Sequence, residues 1–304
     1  MSTVPKLEKK AVLLLAHGSP DSVEEIPEFL LQVTGGRPVP PQVIEEVKHR
    51  YGLIGRSPLT ELTVKQGELL ARELGLPVYV GMRNWKPFIA TVIDTMTADQ
   101  VSRAVVICLA PHNSRTSVGL YRAALSRNRQ PAFALDFVEN WHDHPRLIEA
   151  FTAKLEAGWE RACHEAQARV PVIFTAHSVP LRTVSEGDPY EKQTQETAAL
   201  VARNTSLPPS LWRFAFQSQG LSGGAWLGPS VEDTILDWKR QGHGGVFIQP
   251  VGFLCDHVEV LYDIDIGFKR FAEQQGLRLW RAESLNDSPL LTKALADIAR
   301  SRMA

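Results

Sequence analysis

Two carboxylates and a histidine follow a buried segment near the end of the chain. Residues 244–249 are apolar and bounded by glycines, which is typical of a short buried strand. Beyond it apolar residues recur at helical spacing, and Glu259 and Asp263 are four apart, so both carboxylates share one face of the predicted helix. His257 lies beside them at the carboxyl end of the strand, where open parallel sheets bind their ligands. The stretch predicts a site for proton or metal chemistry.

A purely structural interpretation fits the same residues. Asp256 is a suitable N-cap for the predicted helix, and Glu259 follows three residues later, as in a capping box. In that case the carboxylates of Asp256 and Glu259 would accept hydrogen bonds from backbone N–H groups rather than take part in chemistry. The local sequence leaves both interpretations open.

His177 is the strongest single candidate for catalysis. It follows the predicted strand 170–176, and Ser178 and Pro180 force the chain to turn there. A neutral imidazole accepts a proton or binds a metal near pH 7 without a large change in its pKa. The alternative is a core histidine hydrogen-bonded to the backbone, but the presence of the Glu259 motif in the same chain favours catalysis.

The sequence around His177 has a counterpart in the first half of the chain. Residues 15–20, which include His17, resemble residues 175–180 at an offset of 160 positions. Both segments follow the first predicted strand of their half, so duplication of one domain is the simplest explanation. Four histidines would then follow strand ends and face one cleft between two domains: His17, His112, His177 and His257.

Four further residues in the first half are candidates for ligand binding. Arg50, Tyr51 and Ser57 come after a loop rich in Gly and Pro, and an arginine with nearby hydroxyl groups suits the carboxylates of a ligand. Tyr121 lies on the predicted helix after residues 113–116, where it could cover a ring or hydrogen-bond a carboxylate. The alternatives are an exposed helical arginine and a core tyrosine.

Short apolar segments alternate with amphipathic ones along the chain, which predicts an α/β protein with parallel sheets. The chain has 304 residues, 44% hydrophobic and 22% charged, which suits one large or two ordinary domains. We expect an N-terminal domain over 1–143 and a C-terminal domain over 144–304. We also expect the terminal helix, 287–303, to pack back on the first domain.

The composition argues against several classes of protein. The net charge is −1 and no basic block is present, which disfavours a nucleic-acid partner. No signal-peptide core or run of eighteen apolar residues occurs, so we expect a cytoplasmic protein without stable membrane insertion. The three cysteines are widely separated, which excludes a disulfide framework and offers no ready iron–sulfur or structural zinc motif. Glycine-rich phosphate loops and the Gly-x-Ser-x-Gly elbow are also absent from the sequence.

Several motifs, in order and over nearly the whole chain, are similar to signatures of the ferrochelatase family. In the second half they are Thr-Ala-His-Ser-Val-Pro at 175–180, Gly-Asp-Pro-Tyr at 187–190, Trp-Leu-Gly-Pro at 226–229 and Pro-Val-Gly-Phe-Leu-Cys-Asp-His-Val-Glu-Val-Leu-Tyr-Asp at 250–263. In the first half they are Arg-Tyr at 50–51, Ser-Pro-Leu at 57–59 and Leu-Ala-Pro-His at 109–112.

The resemblance implies two Rossmann-like domains with parallel sheets and an active-site cleft between them. It implies insertion of ferrous iron into a porphyrin in haem biosynthesis, with no organic cofactor and no iron–sulfur cluster. His177 and Glu259 correspond to the family's catalytic histidine and glutamate, and both are expected to bind the metal. Asp263 and His257 are candidates for a proton relay. The residues expected to bind the porphyrin are His17, Arg50, Tyr51, Ser57 and Tyr121.

Three positions depart from the family's pattern. Gly267 stands where many bacterial relatives have a third acidic residue, which argues against an outer metal site or carboxylate relay along this helix. His17 stands where coproporphyrin-type members commonly have Tyr and animal enzymes have Met, and there it could ligate the iron of the product. Thr34 aligns with an arginine that binds a propionate in coproporphyrin-type relatives. In this chain Arg37 or Arg50 would have to bind that propionate instead.

The resemblance favours coproporphyrin III as the substrate. The loop 33–41 has few of the large apolar groups that form the lip of membrane-associated, protoporphyrin-using relatives, and no cysteine follows Cys255, unlike in animal enzymes. We therefore expect a monomeric coproporphyrin III ferrochelatase. The alternatives are a protoporphyrin IX ferrochelatase giving protohaem, a cobalt or sirohydrochlorin chelatase, a non-catalytic haem-binding carrier with His17 as the main ligand, and a two-domain small-molecule binding protein.

Overall fold

Eight parallel strands form two sheets in the computed structural model, which describes residues 8–126, 130–205, 207–219 and 224–303. The strands are β1 Lys10–Ala16, β2 Val78–Met82, β3 Arg103–Cys108, β4 Ala134–Val138, β5 Val172–His177, β6 Trp212–Gln217, β7 Gly245–Pro250 and β8 Arg278–Arg281. The order is β2-β1-β3-β4 in the first sheet and β6-β5-β7-β8 in the second. The two halves of the chain therefore repeat one topology, and the expected α/β class with parallel sheets is confirmed.

Helices connect the strands and cover both faces of each sheet. Those of the first half are α1 Ile26–Val33, α2 Pro41–Ile54, α3 Leu59–Leu74, α4 Ile89–Ala98 and α5 Val118–Leu125. Those of the second half are α6 Pro145–Ala166, α7 Leu181–Ser185, α8 Tyr190–Asn204, α9 Val231–Arg240, α10 Val258–Leu261, α11 Lys269–Gln274 and α12 Pro289–Met303.

The sequence of β1 explains why this strand lies at the centre of a covered sheet. Six of its seven residues are buried, because a parallel strand with helices on both faces needs apolar side chains on both sides. Val12 and Leu14 face one core cluster, whereas Leu13 and Leu15 face another on the opposite side of the sheet. Continuous apolar residues, rather than an alternating pattern, are the signal of this arrangement.

One apolar core runs through both halves of the molecule. It joins Val12 and Leu14 of β1 to Phe174 of β5 and Phe247 of β7. Helix α12 lies between the halves and packs against α3 and α6. At its end Arg300 donates hydrogen bonds to the main-chain and side-chain oxygens of Glu73, each 3.0 Å long. This shared core holds the carboxyl ends of both sheets at a common cleft.

The segment after β7 differs from the sequence-based expectation at Asp256. Its side chain does not cap α10 but accepts hydrogen bonds from Ser284 Oγ at 2.7 Å and Asn286 Nδ2 at 2.9 Å. Its backbone N–H donates to Asn286 Oδ1 at 2.9 Å. The capping-box interpretation of Asp256 and Glu259 is therefore wrong, because Asp256 is held by the loop that follows β8.

A π-helical turn, Asp263–Phe268, interrupts the regular helix that the sequence predicts. The N–H of Gly267 donates to the carbonyl of Tyr262, five residues earlier, at 2.9 Å. Asp265 within this turn pairs with Arg281 of β8 at 2.7 Å. π-turns inside helices occur frequently at functional sites, and this one directly follows the short helix that carries Glu259.

The role of Asp256 can be tested with Asp256→Ser. Serine caps helices about as well as aspartate, so a capping role would leave the free energy of unfolding nearly unchanged. Serine is too short to reach both Ser284 and Asn286, and we expect a loss of about 2 kcal/mol in urea unfolding because these polar groups lose their partner. Asp237→Ser, which removes an exposed ion pair with Arg240 on α9, is the matched control and should cost less than about 1 kcal/mol.

Candidate active site

A cavity of about 550 Å³ lies between the two sheets at the carboxyl ends of their strands. This volume falls within the range of small-molecule and cofactor sites. Its walls come from both halves of the chain. All nine residues that the sequence singled out for the site line this cavity: His17, Arg50, Tyr51, Ser57, Tyr121, His177, His257, Glu259 and Asp263.

His177 is the last residue of β5 and points into the cavity. Its Nδ1–H donates to the backbone carbonyl of Ser178, and its own carbonyl accepts a hydrogen bond from Tyr190 Oη at 3.0 Å. Since a carbonyl oxygen can only accept, Nδ1 carries the proton and Nε2 is the lone-pair nitrogen of the neutral ring. Nε2 lies 3.5 Å from Oε1 of Glu259. The local structure thus presents a base to the cavity.

Glu259, the second residue of α10, lies between two histidines. Its Oε2 is 3.5 Å from Nε2 of His257, whose Nδ1–H donates to the carbonyl of Cys255 at 3.0 Å. Gln217 at the end of β6 donates to the backbone carbonyl of Glu259 at 2.8 Å, which fixes this turn against the second sheet. The carboxylate can therefore accept a hydrogen bond from either ring once that ring has taken up a proton.

The charge on Glu259 is set by its neighbours. Burial raises its pKa, but the charge of His177, a hydrogen bond and charge from His257, and the charge of His17 outweigh burial and lower the pKa to about 2. Glu259 is consequently an anion near neutral pH, although it lies inside a protein cleft. An anion here stabilises any imidazolium that forms beside it.

Asp263 experiences the opposite environment. Burial and the nearby charge of Glu259 raise its pKa, against a hydrogen bond from Ser218 and the charge of Arg50. Arg50 Nη1 is 3.6 Å from Asp263 Oδ1, and its guanidinium lies 5.0 Å from the centre of the Tyr262 ring. Two neighbouring carboxyl groups whose pKa values move in opposite directions can divide the roles of anion and proton carrier.

His17 forms the opposite wall, in the first half of the chain. Its Nδ1–H donates to the carbonyl of Gly18 at 3.0 Å, and the ring packs edge-on against Phe29. Burial and the charge of Arg83 lower the pKa of His17 to about 4. The ring is therefore neutral near pH 7, with an unprotonated Nε2. Among the described residues no carboxylate lies within ion-pair distance of His17, whereas Nε2 of His177 is 3.5 Å from Glu259 Oε1.

Two glycines permit the close packing behind these histidines. Gly18 has a φ of +81°, and a Cβ there would lie 2.9 Å from the Cβ of Trp85. Gly252, in the loop after β7, packs so closely that a Cβ would lie 2.6 Å from the Cβ of Ala176, next to His177. Any side chain at either position would displace a strand end and the histidine attached to it.

The residues of α2 and the loop after it line the side of the cavity. Tyr51 is buried, with its hydroxyl 3.5 Å from Ser19 Oγ, and burial raises its pKa to about 12. Ser57 is also buried at the cavity wall. Arg37, one of the two arginines expected to compensate for Thr34, donates from Nε to the Thr34 carbonyl at 3.0 Å and so is engaged in its own loop.

Arg83 and Tyr190 also line the cavity, although neither was among the expected site residues and Tyr190 appeared only within the motif at 187–190. Arg83 directly follows β2 and lines the cavity, with its Cζ 5.5 Å from the centre of the Tyr121 ring. Tyr190, at the start of α8, lies against His112 and hydrogen-bonds the backbone of His177. Arg83 could have been predicted from its place directly after β2, because β2 ends at the same sheet edge as β1.

His112 lines the cavity, as the sequence repeat between the two halves predicts. One of its two ring nitrogens, however, is engaged in a hydrogen bond and is not available to a ligand. Its Nε2 lies 2.9 Å from Thr197 Oγ1, whose hydroxyl lies within hydrogen-bonding distance of the carbonyls of His142 and Gln193. A hydroxyl that donates its single hydrogen must accept from Nε2–H of His112. His112 thereby joins the first sheet to α8 behind His177.

The arrangement combines a proton acceptor, an anion and a second lone-pair nitrogen around one cavity. His177 Nε2 and Glu259 Oε1 are also suitable metal ligands, and they are close enough to act on one ion. Among the residues that the structure describes, no group of three or more His, Cys, Asp or Glu side chains is arranged to hold a metal ion. Proton transfer and transient metal binding are the reactions that these groups support.

A family model described as Ferrochelatase matches residues 9–303. The chain belongs to the ferrochelatase family. A relative named Ferrochelatase from Acidobacterium capsulatum is 54% identical over 308 residues, covering 97% of this chain and 94% of that protein. A relative named Coproporphyrin III ferrochelatase from Geobacillus thermodenitrificans is 32% identical over 311 residues, covering 98% of each protein.

Solved structures agree with the two-domain fold of this ferrochelatase family member. SirB from Bacillus subtilis with Fe³⁺ has a TM-score of 0.58 at 12% identity and covers 97% of this chain and 96% of that one. CbiX, described as the terminal enzyme for biosynthesis of siroheme in denitrifying bacteria, has a TM-score of 0.52 at 13% identity and covers 97% and 100%. At these identities the similarity shows the fold alone. None of the helices in the described ranges is long and apolar enough to cross a membrane.

The low pKa of His17 predicts a pH dependence of stability. Because the pKa is about 4 in the folded protein and 6.5 for an unperturbed histidine, the unfolded chain takes up the proton first as the pH falls. His17 therefore stabilises the fold above pH 6.5, and this contribution is lost between pH 6.5 and 4. We expect the melting temperature of His17→Gln to fall less than that of the wild type over this window. Equal falls in both proteins would contradict the assignment.

Proposed function

We propose that the protein is a ferrochelatase that inserts Fe²⁺ into coproporphyrin III in haem biosynthesis. The observation that carries the proposal is the pair formed by His177 and Glu259, 3.5 Å apart, at the wall of a cavity that His17 faces from the other half. A porphyrin must lose two pyrrole protons and gain one metal ion, so its enzyme needs a base, an anion and metal ligands in one place.

His177 is assigned the first proton transfer. With Nδ1–H held by the carbonyl of Ser178, Nε2 is the atom that accepts a proton from a pyrrole N–H. The resulting imidazolium lies against Glu259, whose low pKa keeps it ionised during the transfer. The anion lowers the energy of the charged ring without taking the proton permanently.

Asp263 is assigned the removal of protons from the site. Its raised pKa makes it a better proton carrier than Glu259, and it lies one turn further along the same segment. Arg50, paired with Asp263 across the cleft, can stabilise the carboxylate again after the proton has left. Nε2 of His257 lies 3.5 Å from the second oxygen of Glu259 and would be the other end of this relay, donating to that oxygen once it carries a proton.

Metal transfer uses the same pair of side chains. Glu259 Oε1 would replace some of the water around Fe²⁺, and His177 Nε2 would join it as a ligand only after passing on the proton taken from the pyrrole. The deprotonated pyrrole nitrogens would then replace both protein ligands. The facing walls, formed by Phe29 and Val33 on one side and Pro180 and Phe253 on the other, provide apolar contact for the macrocycle. Contacts that fit a bent ring better than a flat one would favour the transition state.

The choice of coproporphyrin III over protoporphyrin IX rests on the cations in the cavity. Arg50 and Arg83 both line it, and they come from different elements, α2 and the loop after β2. An observation that favours protoporphyrin IX is the apolar edge on α1, where Leu30 and Val33 line the cavity and Leu31 is 41% exposed. Protoporphyrin IX ferrochelatase is therefore the second candidate.

We also propose that the enzyme works as a cytoplasmic monomer and needs no organic cofactor or iron–sulfur cluster. Residues 1–143 and 144–304 would act as two domains that hold the ring between them. The shared core through α12 supports domains that move little relative to one another. Sedimentation at micromolar concentration tests the monomeric state. Activity of the purified protein supplied only with Fe²⁺ and porphyrin tests whether a cofactor is needed.

The activity is tested by anaerobic iron insertion, followed by absorbance, with coproporphyrin III and protoporphyrin IX side by side. We expect the wild type to prefer coproporphyrin III. His177→Ala and Glu259→Gln should each lower kcat by about 100-fold or more, because one removes the base and the other the anion that stabilises it. His49→Ala, an exposed histidine on α2, is the matched control and should retain activity.

The outcomes separate the candidate functions. Faster turnover of protoporphyrin IX would replace the proposed substrate with the second candidate. If neither porphyrin is metallated but the protein binds haem tightly, and His177→Ala leaves that binding intact, the protein is a haem carrier and the enzyme assignment is wrong. Full activity of both active-site variants would contradict the roles of His177 and Glu259.

A further inference from the structure

Asn286, in the loop between β8 and α12, uses each of its four polar atoms to hold other parts of the chain. Its backbone N–H donates to the carbonyl of Leu254 at 2.9 Å, and its own carbonyl accepts from Gln66 Nε2 at 2.6 Å. Its side chain forms two hydrogen bonds with Asp256: Oδ1 accepts from the backbone N–H and Nδ2 donates to Oδ2, each at 2.9 Å. Asn286 therefore joins α3 of the first half to the loop that directly precedes α10.

The peptide unit between Cys255 and Asp256 transmits this contact to the active site. Because a peptide unit is planar, its carbonyl and its N–H turn together. Its N–H, on Asp256, is held by the side chain of Asn286. Its carbonyl, on Cys255, accepts the hydrogen bond from Nδ1–H of His257 at 3.0 Å. One rigid unit thus connects Asn286 to the imidazole ring whose Nε2 lies 3.5 Å from Glu259 Oε2.

The backbone at position 286 restricts which side chains can make this contact. Its φ is +49°, in the left-handed region that Gly, Asn and Asp tolerate best. Glycine has no side chain to hold the peptide unit. Aspartate could accept from the N–H, but it would set a second carboxylate against that of Asp256. Only an amide both accepts from the N–H and donates to the carboxylate, so asparagine suits this position.

The other partners of Asp256 hold its carboxylate in place. Ser284 Oγ donates to Oδ1 at 2.7 Å, and Arg281 Nη1 lies 3.4 Å from the same oxygen. Arg281 also binds Asp265 of the π-turn through two hydrogen bonds of 2.7 and 2.8 Å. The second oxygen of Asp256 is the one that accepts from Asn286. The contact with Asn286 therefore belongs to a frame that holds the chain on both sides of α10.

We propose that Asn286 is a positioning residue for iron insertion, which fixes the peptide unit before His257 and thereby the orientation of that ring. Asn286 does not line the cavity, so it acts through His257 rather than on the ligand. If the peptide unit could turn, His257 would lose its fixed Nδ1–H tautomer and would no longer keep Nε2 towards Glu259. The inference rests on the proposed function, since it takes the reaction to depend on this histidine and glutamate.

The test compares iron insertion by the wild type, Asn286→Asp and the swap Asp256→Asn/Asn286→Asp. Asn286→Asp sets two carboxylates against each other and should lower kcat by about tenfold or more, as loss of residues that orient an active-site histidine does. The KM for the porphyrin should stay within about twofold, because the cavity lining is unchanged. The swap restores a donor and an acceptor in exchanged places, so kcat should return to within about threefold of the wild type.

Two controls separate positioning from a loss of folded protein. Rates are expressed per folded molecule, from near-ultraviolet circular dichroism at the assay temperature. Asn204→Asp, at the exposed last residue of α8, introduces the same charge away from the cavity lining and should leave kcat and KM unchanged. An unchanged kcat per folded molecule in Asn286→Asp, a rise in KM alone, or a swap as slow as Asn286→Asp would overturn the inference.

A second readout does not depend on turnover, because ¹⁵N NMR of histidine-labelled protein reports which ring nitrogen of His257 carries the proton. The spectra are recorded in mildly alkaline buffer, where an unperturbed histidine is neutral. The wild type and the swap should show the proton on Nδ1, and Asn286→Asp should show a mixture of the two tautomers. The signals are assigned by their loss in His257→Gln.

The two readouts distinguish failure of the inference from failure of the proposed function. A wild type that inserts no iron, but whose His257 tautomer depends on Asn286, would refute the activity and support the positioning of the ring. A wild type that inserts iron, with the same His257 tautomer in Asn286→Asp, would support the activity and refute the role of Asn286.

Discussion

The site depends on one constraint: Glu259 must remain ionised inside a cleft. Burial alone would favour its neutral form, and the surrounding histidines reverse that preference. Each of the two adjacent rings, His177 and His257, uses Nδ1–H to hold a backbone carbonyl and therefore turns Nε2 towards the carboxylate. The backbone thus orients both rings so that a proton taken up at Nε2 is donated to the carboxylate, which stabilises the anion. Loss of either anchor would leave the carboxylate facing a ring in the wrong orientation.

The fold around Glu259 supports this arrangement through main-chain contacts from three strands. The end of β5 carries His177, the end of β6 supplies Gln217 to the carbonyl of Glu259, and the loop after β7 passes close to Ala176 at Gly252. Parallel strands bring these ends to one edge, and the core shared by both sheets keeps the opposite wall at a fixed position. A rigid frame is what a catalytic site needs, because a misplacement of about 1 Å can lower the rate about 100-fold.

Much of this could be predicted from the sequence, because the decisive signals were local. Continuous apolar segments identify parallel strands, and a histidine directly after such a segment must lie at the sheet edge. Three features could not be predicted in this way. The partners of Asp256 are about thirty residues away, the π-turn depends on contacts with β8, and Nε of Arg83 is buried without a hydrogen-bond partner among the described residues. None of these three features produces a periodic pattern in the sequence from which it could be predicted.

The repeated topology of the two halves explains how one cleft contains two different environments. The first strand of each half ends at a histidine, His17 or His177, and in both rings Nδ1–H is bound to the next residue's carbonyl. Their neighbours differ: burial and the charge of Arg83 lower the pKa of His17, whereas Glu259 Oε1 lies 3.5 Å from His177 Nε2. Divergence of the neighbours, rather than of the histidines, therefore gives the two walls of the cleft their different environments.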